Sequence, residues 1–167
     1  MSPSSSQSRR SFVARSAGFL GALLLGRDVL TPGGQLLALG PDDPPAIPNE
    51  IVAKALKDRF GDRQIRTGHV QLDMPAAAED GRVVPVIIES DLPMTADNYV
   101  KGVHLIVDHN PDVHVAGFYL TPAIGRLSIS TRIKMKRSTW VRAIVETTAG
   151  DVWAGYTHVN VTLNGCG

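Results

Sequence analysis

The sequence predicts an all-β chain: an immunoglobulin-like β-sandwich of about seven strands with one short N-terminal helix, after a cleaved signal. Three observations predict it. Beyond the first third of the chain, segments of alternating apolar and polar residues recur every ~8–15 residues. Eleven prolines and sixteen glycines punctuate the chain, which suits many turns better than long helices. Aromatic residues are only 5% of the chain while hydrophobic residues are 43%, so aliphatic side chains must fill the core. With 167 residues, 20% of them charged, the chain has the size and balance of one globular domain.

The N-terminal segment reads as an export signal. Ser8-Arg9-Arg10-Ser11-Phe12-Val13 is a twin-arginine motif, with Arg9 and Arg10 as its paired cations. The apolar run Ala17–Leu25 follows. It is too short and too glycine-interrupted for a span, which needs ~20 apolar residues. A basic stretch before a short apolar one is the form of a secretory signal. Pro41–Pro48 holds four prolines and reads as a linker. The expected organisation is therefore signal and linker over 1–45, sandwich domain over 46–163, and a flexible C-terminal arm over 164–167. The mature protein is expected in the periplasm, exported folded, with no membrane segment.

The elements follow in order. Asn49 can cap a helix through Glu50–Phe60 and Gly61 can end it. Ile51, Val52, Ala55, Leu56 and Phe60 form its apolar stripe. His69–Met74 and Val83–Ser90 alternate, with Asp80-Gly81 as a hairpin signal between them. Pro85 pushes the second segment towards a sheet edge. Tyr99–Val107 ends at the Asn110-Pro111 turn, and Val113–Leu120 ends at Thr121-Pro122. In Arg126–Lys134, Leu127, Ile129, Thr131 and Ile133 share one face, with Ser128, Ser130, Arg132 and Lys134 on the other. Trp140–Thr147 and Val152–Leu163 complete the seven. Trp140 and Trp153 are expected as core or interface anchors.

Most chemistry is excluded. The formal charge is +1 overall, and −2 once residues 1–40 are set aside, which gives no footprint for nucleic acid. No glycine-rich loop opens a helix to cradle phosphate, and no nucleophile elbow is present. His104, His109 and His114 are spaced by five, which alternates faces on a strand, and Asn110-Pro111 breaks the strand between them. They read as structural histidines; no metal site and no cofactor are expected. Lys134-Met135-Lys136-Arg137 is a basic hairpin tip, read as a solvated turn that a partner with an acidic face could use.

Cys166 is the one cysteine, so neither an internal disulfide nor a cysteine-based metal site can form. It sits in Asn164-Gly165-Cys166-Gly167, after the last apolar alternation ends at Leu163. Free cysteine is normally buried; here flanking glycines deny it packing. An exported chain with one odd thiol points to a reactive group or an intermolecular bond. From Asn164 to Cys166 the chain spans up to ~10 Å, enough to enter a narrow tunnel that excludes a folded domain. No general base lies beside the thiol in sequence, so activation would come from the enzyme it visits.

The tail, on an exported sandwich, resembles the SoxY family, the sulfur-carrier subunits of the Sox thiosulfate-oxidation system. Asp97-Asn98-Tyr99-Val100-Lys101, His104, Asn110-Pro111, Ser130-Thr131-Arg132-Ile133-Lys134 and Val159-Asn160-Val161-Thr162 also resemble that family. The family usually ends Gly-Gly-Cys-Gly-Gly; this chain has Asn164 for the first glycine and lacks the last. The resemblance implies a non-enzymatic carrier. Cys166 would take thiosulfate as a cysteine S-thiosulfonate, and Asn164, Gly165 and Gly167 would form the arm. The implied partners are a second small immunoglobulin-like subunit (SoxZ-like), a haem-bearing loading enzyme, a sulfate-releasing hydrolase and a sulfur dehydrogenase. Two rivals stand beside it. One is a thiol redox enzyme, which lacks a second cysteine to resolve a disulfide. The other is an exported module for binding or metal handling with an incidental cysteine.

Overall fold

The computed structural model describes residues 44–163. Arg9, Arg10 and the rest of the export signal lie outside the described residues, as do Asn164, Gly165, Cys166 and Gly167.

Helix α1 (Glu50–Phe60) has the bounds its sequence predicts. The Val52 N–H donates to the Asn49 side chain at 3.0 Å, satisfying one donor that a helix start leaves over. Gly61, at φ 63°, ends the helix and donates to the Lys57 carbonyl at 2.8 Å. Val52 and Phe60 are buried, with Ala55 and Leu56 packed beside them. Ile51 departs from the expected stripe and is exposed. It lies ~100° from Val52 around the helix, away from the side that Leu56 and Phe60 continue.

Nine strands follow among the described residues: β1 (Ile65–Thr67), β2 (Val70–Asp73), β3 (Ala77–Asp80), β4 (Val84–Ser90), β5 (Val100–Val107), β6 (His114–Tyr119), β7 (Leu127–Ile133), β8 (Thr139–Thr147) and β9 (Val152–Leu163). The larger sheet runs β1-β9-β8-β5-β6, with β3 also on β9; the smaller runs β2-β4-β7. All seven expected strands are present. The two additional ones, β1 and β3, are three and four residues long. Both pair parallel to β9, β1 at its beginning (Ile65↔Val152) and β3 at its end (Asp80↔Leu163). Segments this short cannot establish an alternation, so only their pairing defines them.

β2 and β4 pair antiparallel as expected, but not as a tight hairpin, because the chain between them leaves for β9 as β3. β4 is also central in its sheet rather than at the edge that Pro85 suggested. The proline is accommodated because β2 reaches only as far as Ile87 along β4. At Pro85 the one neighbour is β7, through Arg132, so the missing N–H faces no strand.

The core lies between the sheets. Val84, Val86 and Ile88 of β4 and Leu127 and Ile133 of β7 meet Val103, Leu105, Val141, Ala143 and Val145 of β5 and β8. The alternation expected for β7 holds, with Leu127 and Ile133 buried and Ser128, Ser130 and Arg132 exposed. The outer face of the larger sheet carries a second core, where Ile106, Ile144, Val152 and Ala154 pack under Val52 and Phe60 of α1. Trp153 is half-buried against the main core, with the Arg66 guanidinium 4.2 Å over its ring. Trp140 is exposed and meets only His158 edge-on among aromatic rings, so it is not a core anchor.

One buried charge pair ties the proline segment to this second layer. Arg142 donates to both carboxylate oxygens of Asp108, at 2.6 and 2.8 Å, and both side chains are buried. Its remaining donors reach the carbonyls of Pro45 (3.3 Å) and Ala46 (2.9 Å). The end of the predicted linker is therefore held against the sandwich.

Candidate functional site

Two places combine polar chemistry with defined geometry. The first is a histidine pair on the outer face of the larger sheet. The β5–β6 hairpin brings His104 and His114 together, with Nδ1 of one 3.3 Å from Nε2 of the other. Spacing along a single strand sets them apart; pairing across the turn joins them. The register Ile106↔His114 and His104↔Gly117 does this, and the Asn110-Pro111 turn was the signal that could have found it.

His104 is buried, with Phe60 of α1 edge-on at 5.4 Å. Glu146 stands 3.7 Å from its other ring nitrogen and is itself held by Arg63 (3.0 Å) and Lys101 (3.4 Å). Burial pushes the His104 pKa below the ordinary imidazole value, aided by Arg59 and Arg63, while Glu146 pulls against it. Burial likewise lowers His114, with Arg59 and His104 adding to it. For Glu146, burial alone would raise the carboxyl, but the hydrogen bond from Arg63 and the charge of Lys101 hold it below its usual value. Both shifts favour the neutral form of the imidazoles, beside a Glu146 carboxylate held in its charged form by Arg63 and Lys101. Gly102 makes room for it, since a Cβ there would come within 3.1 Å of Glu146 and 3.2 Å of His104. His109 stands apart, with its Nδ1 2.7 Å from the Thr139 hydroxyl. Among the described residues no group of three or more His, Cys, Asp or Glu is arranged to hold a metal ion. No helix among them is long and apolar enough to cross a membrane.

The second place is the end of β9, from which the chain continues towards Cys166. Leu163 is exposed, and its carbonyl accepts from the Gly81 N–H at 2.8 Å. The Gly81 carbonyl in turn accepts from the Met135 N–H at 2.7 Å. One residue of the β3–β4 turn thus links the last strand to the turn between β7 and β8. Two residues earlier, the Val161 N–H donates to the Ser138 hydroxyl at 2.8 Å. Met135 is fully buried, whereas Lys134, Lys136 and Arg137 around it are exposed. Asn110 fixes the backbone of this basic turn, donating to the Lys134 carbonyl (2.7 Å) and accepting from the Lys136 N–H (2.9 Å). The expected solvated tip is thus a backbone-pinned loop beside the end of β9. Cys166 lies three positions past Leu163, so its backbone is within ~10 Å of this fixed point.

The family described as sulfur oxidation protein SoxY matches residues 56–166, from within α1 through to Cys166. The chain belongs to the SoxY family. A solved structure with a similar fold is that of the sulfur carrier protein SoxY from Chlorobium limicola f thiosulfatophilum. It is 23% identical, covers 68% of this chain and 98% of that one, and has a TM-score of 0.58. Superoxide reductase (neelaredoxin) from Ignicoccus hospitalis shares the fold more distantly, at 15% identity and a TM-score of 0.51, covering 56% of this chain and 80% of that one. A variant of that reductase gives the same identity and TM-score over 69% and 89%. Comparison with curated proteins finds no match. Membership of the SoxY family makes this a sulfur-oxidation protein with an immunoglobulin-like sandwich. The likeness to superoxide reductase is one of fold alone.

Proposed function

We propose that this SoxY-family chain is a non-catalytic sulfur carrier in the periplasm, exported by the twin-arginine route, with Cys166 as the point of covalent attachment. The observation that carries it is that the family match runs past the last strand and includes the cysteine. The solved SoxY from Chlorobium limicola f thiosulfatophilum is named as a sulfur carrier, which supports the same role here.

The chemistry needs a thiol and external enzymes. On loading, the Cys166 S–H bond breaks and a sulfur–sulfur bond to thiosulfate forms. One proton and two electrons leave, the electrons passing to a haem-bearing partner. A hydrolase then adds water across the bond between the sulfane sulfur and the sulfonate, releasing sulfate and leaving a persulfide. A dehydrogenase with three waters oxidises the outer sulfur to a sulfonate, releasing six electrons. A second hydrolysis returns the thiol. A SoxZ-like sandwich subunit pairs with this chain, and its lack of a signal accounts for folded export as a complex.

The test is intact-mass measurement of the carrier complex after incubation with thiosulfate and the loading enzyme. The wild type gains the thiosulfonate mass, and Cys166→Ser gains nothing while melting at the wild-type temperature. A serine variant that still loads, or a folded His104→Gln or His114→Gln variant that loses loading, overturns the reading.

A further inference from the structure

We propose that the exposed cations of the Lys134–Arg137 turn form a docking collar for enzymes whose active-site entrance is rimmed by carboxylates. This rests on the carrier reading of Cys166. The argument begins with reach. Cys166 is three positions past Leu163, so its backbone cannot move more than ~10 Å from the end of β9. When the thiol enters an enzyme, whatever surrounds Leu163 is brought against the mouth of that enzyme's site.

What surrounds Leu163 is fixed. Gly81 bonds both Leu163 and Met135, Ser138 bonds Val161, and Asn110 clamps the backbone of Lys134 and Lys136. Met135 is buried as the anchor, which leaves Lys134, Lys136 and Arg137 exposed. Among the described residues none of the three forms an ion pair, as is also true of Arg59 and Arg132, whereas Lys54, Lys57, Arg63, Arg66, Arg82, Lys101, Arg126 and Arg142 all do. On the opposite flank of β9, Asp80 is neutralised by Arg82, whose guanidinium donates to its carboxylate at 2.6 Å. Glu79 is exposed beside them. Arg132 and Asp112 line one cavity with Lys134 and add one charge of each sign, so among the described residues this end carries four exposed cations outside ion pairs against the two anions Glu79 and Asp112. Building such a surface on a pinned loop costs little ordering entropy at binding, and it complements acidic groups at the mouth of a site. Exposed charges of one sign act chiefly on the rate of encounter, and salt weakens them.

The experiment measures the second-order rate of thiosulfate loading by the haem-bearing enzyme at salt from about 20 to about 500 mM. It compares wild type, a Lys134→Gln/Lys136→Gln/Arg137→Gln variant, and a Lys54→Gln/Lys57→Gln control on α1, each first shown to melt normally. The expected result is a wild-type rate that falls with salt. The collar variant is about tenfold slower or more at low salt and nearly independent of salt, and the control matches wild type. Cys166 reactivity is measured alongside with a neutral alkylating agent and an anionic aromatic disulfide, and should be unchanged in the collar variant. A collar variant with the wild-type rate and salt dependence overturns the proposal, as does a control that loses as much. Selective loss of reactivity towards the anionic disulfide overturns it too, by assigning the cations to the cargo rather than the enzyme. Failure of the wild type to load at all overturns the carrier reading instead.

Discussion

Asp108→Ala tests the least exposed electrostatic arrangement described in the protein. Arg142 has a side chain only 4% exposed and Asp108 one only 1% exposed, and two hydrogen bonds join them. Removing the carboxylate leaves a guanidinium that cannot discard its proton. Its remaining acceptors are the carbonyls of Pro45 and Ala46, which carry no charge. Breaking one side of such a buried pair costs about 3–5 kcal/mol, because the other charge stays desolvated. That is a large part of the ~5–15 kcal/mol that holds a domain folded. For a domain of this size each kcal/mol moves Tm by roughly 3–5 °C, so a drop of about 9–25 °C is expected. Thermal melting by circular dichroism measures it. The double replacement Asp108→Leu with Arg142→Met should recover at least half of the loss, since no charge then remains buried. A single variant melting within about 5 °C of wild type, or a double variant no better than the single, refutes this account.

Gly155→Ala should lower the urea midpoint by an amount corresponding to about 1–3 kcal/mol, because an added Cβ would press on the backbone carbonyl of Val70, which cannot rotate away; an unchanged midpoint would mean that β2 shifts freely. Stability should fall as pH drops from about 7.5 to 5.5. His104 and His114 titrate below their ordinary value of 6.5 when folded, so the unfolded chain binds protons first and gains on the folded one through that window. Glu146, held below 4.5, adds a further loss as pH falls below that value. His104→Gln should flatten the first part of the profile, and an unaltered slope would clear the histidines of it. Replacing Arg9 and Arg10 by lysine should leave the protein in the cytoplasmic fraction, which periplasmic extraction would reveal.

The parts legible in the sequence were those whose signals are local. Asn49 and Gly61 delimit α1 because caps act within one turn, and β7 shows its two faces because alternation needs only seven residues. What escaped depends on partners distant in the chain. β1 and β3 exist as strands because β9 offers its edge, and β4 tolerates Pro85 in a central position because β2 stops short of it. The His104–His114 pair needs the register of a hairpin, and the buried Arg142–Asp108 pair joins residues 34 apart. At the candidate site, Cys166 was singled out by composition and position alone. The basic turn was visible too, but its attachment to the end of β9 through Gly81 was not, since that link joins three separate stretches of chain.

That attachment bears on where a carrier of this kind can hold its specificity. β9 is paired on one side with β8 as far as Val159, and on the other with β3 as far as Leu163. Its end is therefore held by a neighbouring strand up to the last residue before Asn164. The stretch Asn164-Gly165-Cys166 offers a recognising enzyme one small amide and the thiol, and little else in side chains. On the proposed carrier reading several enzymes accept the same thiol, and so sparse a segment cannot tell them apart. The distinguishing contacts must come from groups within ~10 Å of the thiol's mount. The described residues tied to the end of β9 include the Lys134–Arg137 turn, through the bonds that Gly81 makes to Leu163 and Met135, and the Asp80–Arg82 pair that flanks Gly81 in the chain. On the proposed carrier reading, these groups on the sandwich decide which enzymes receive the cargo on its thiol.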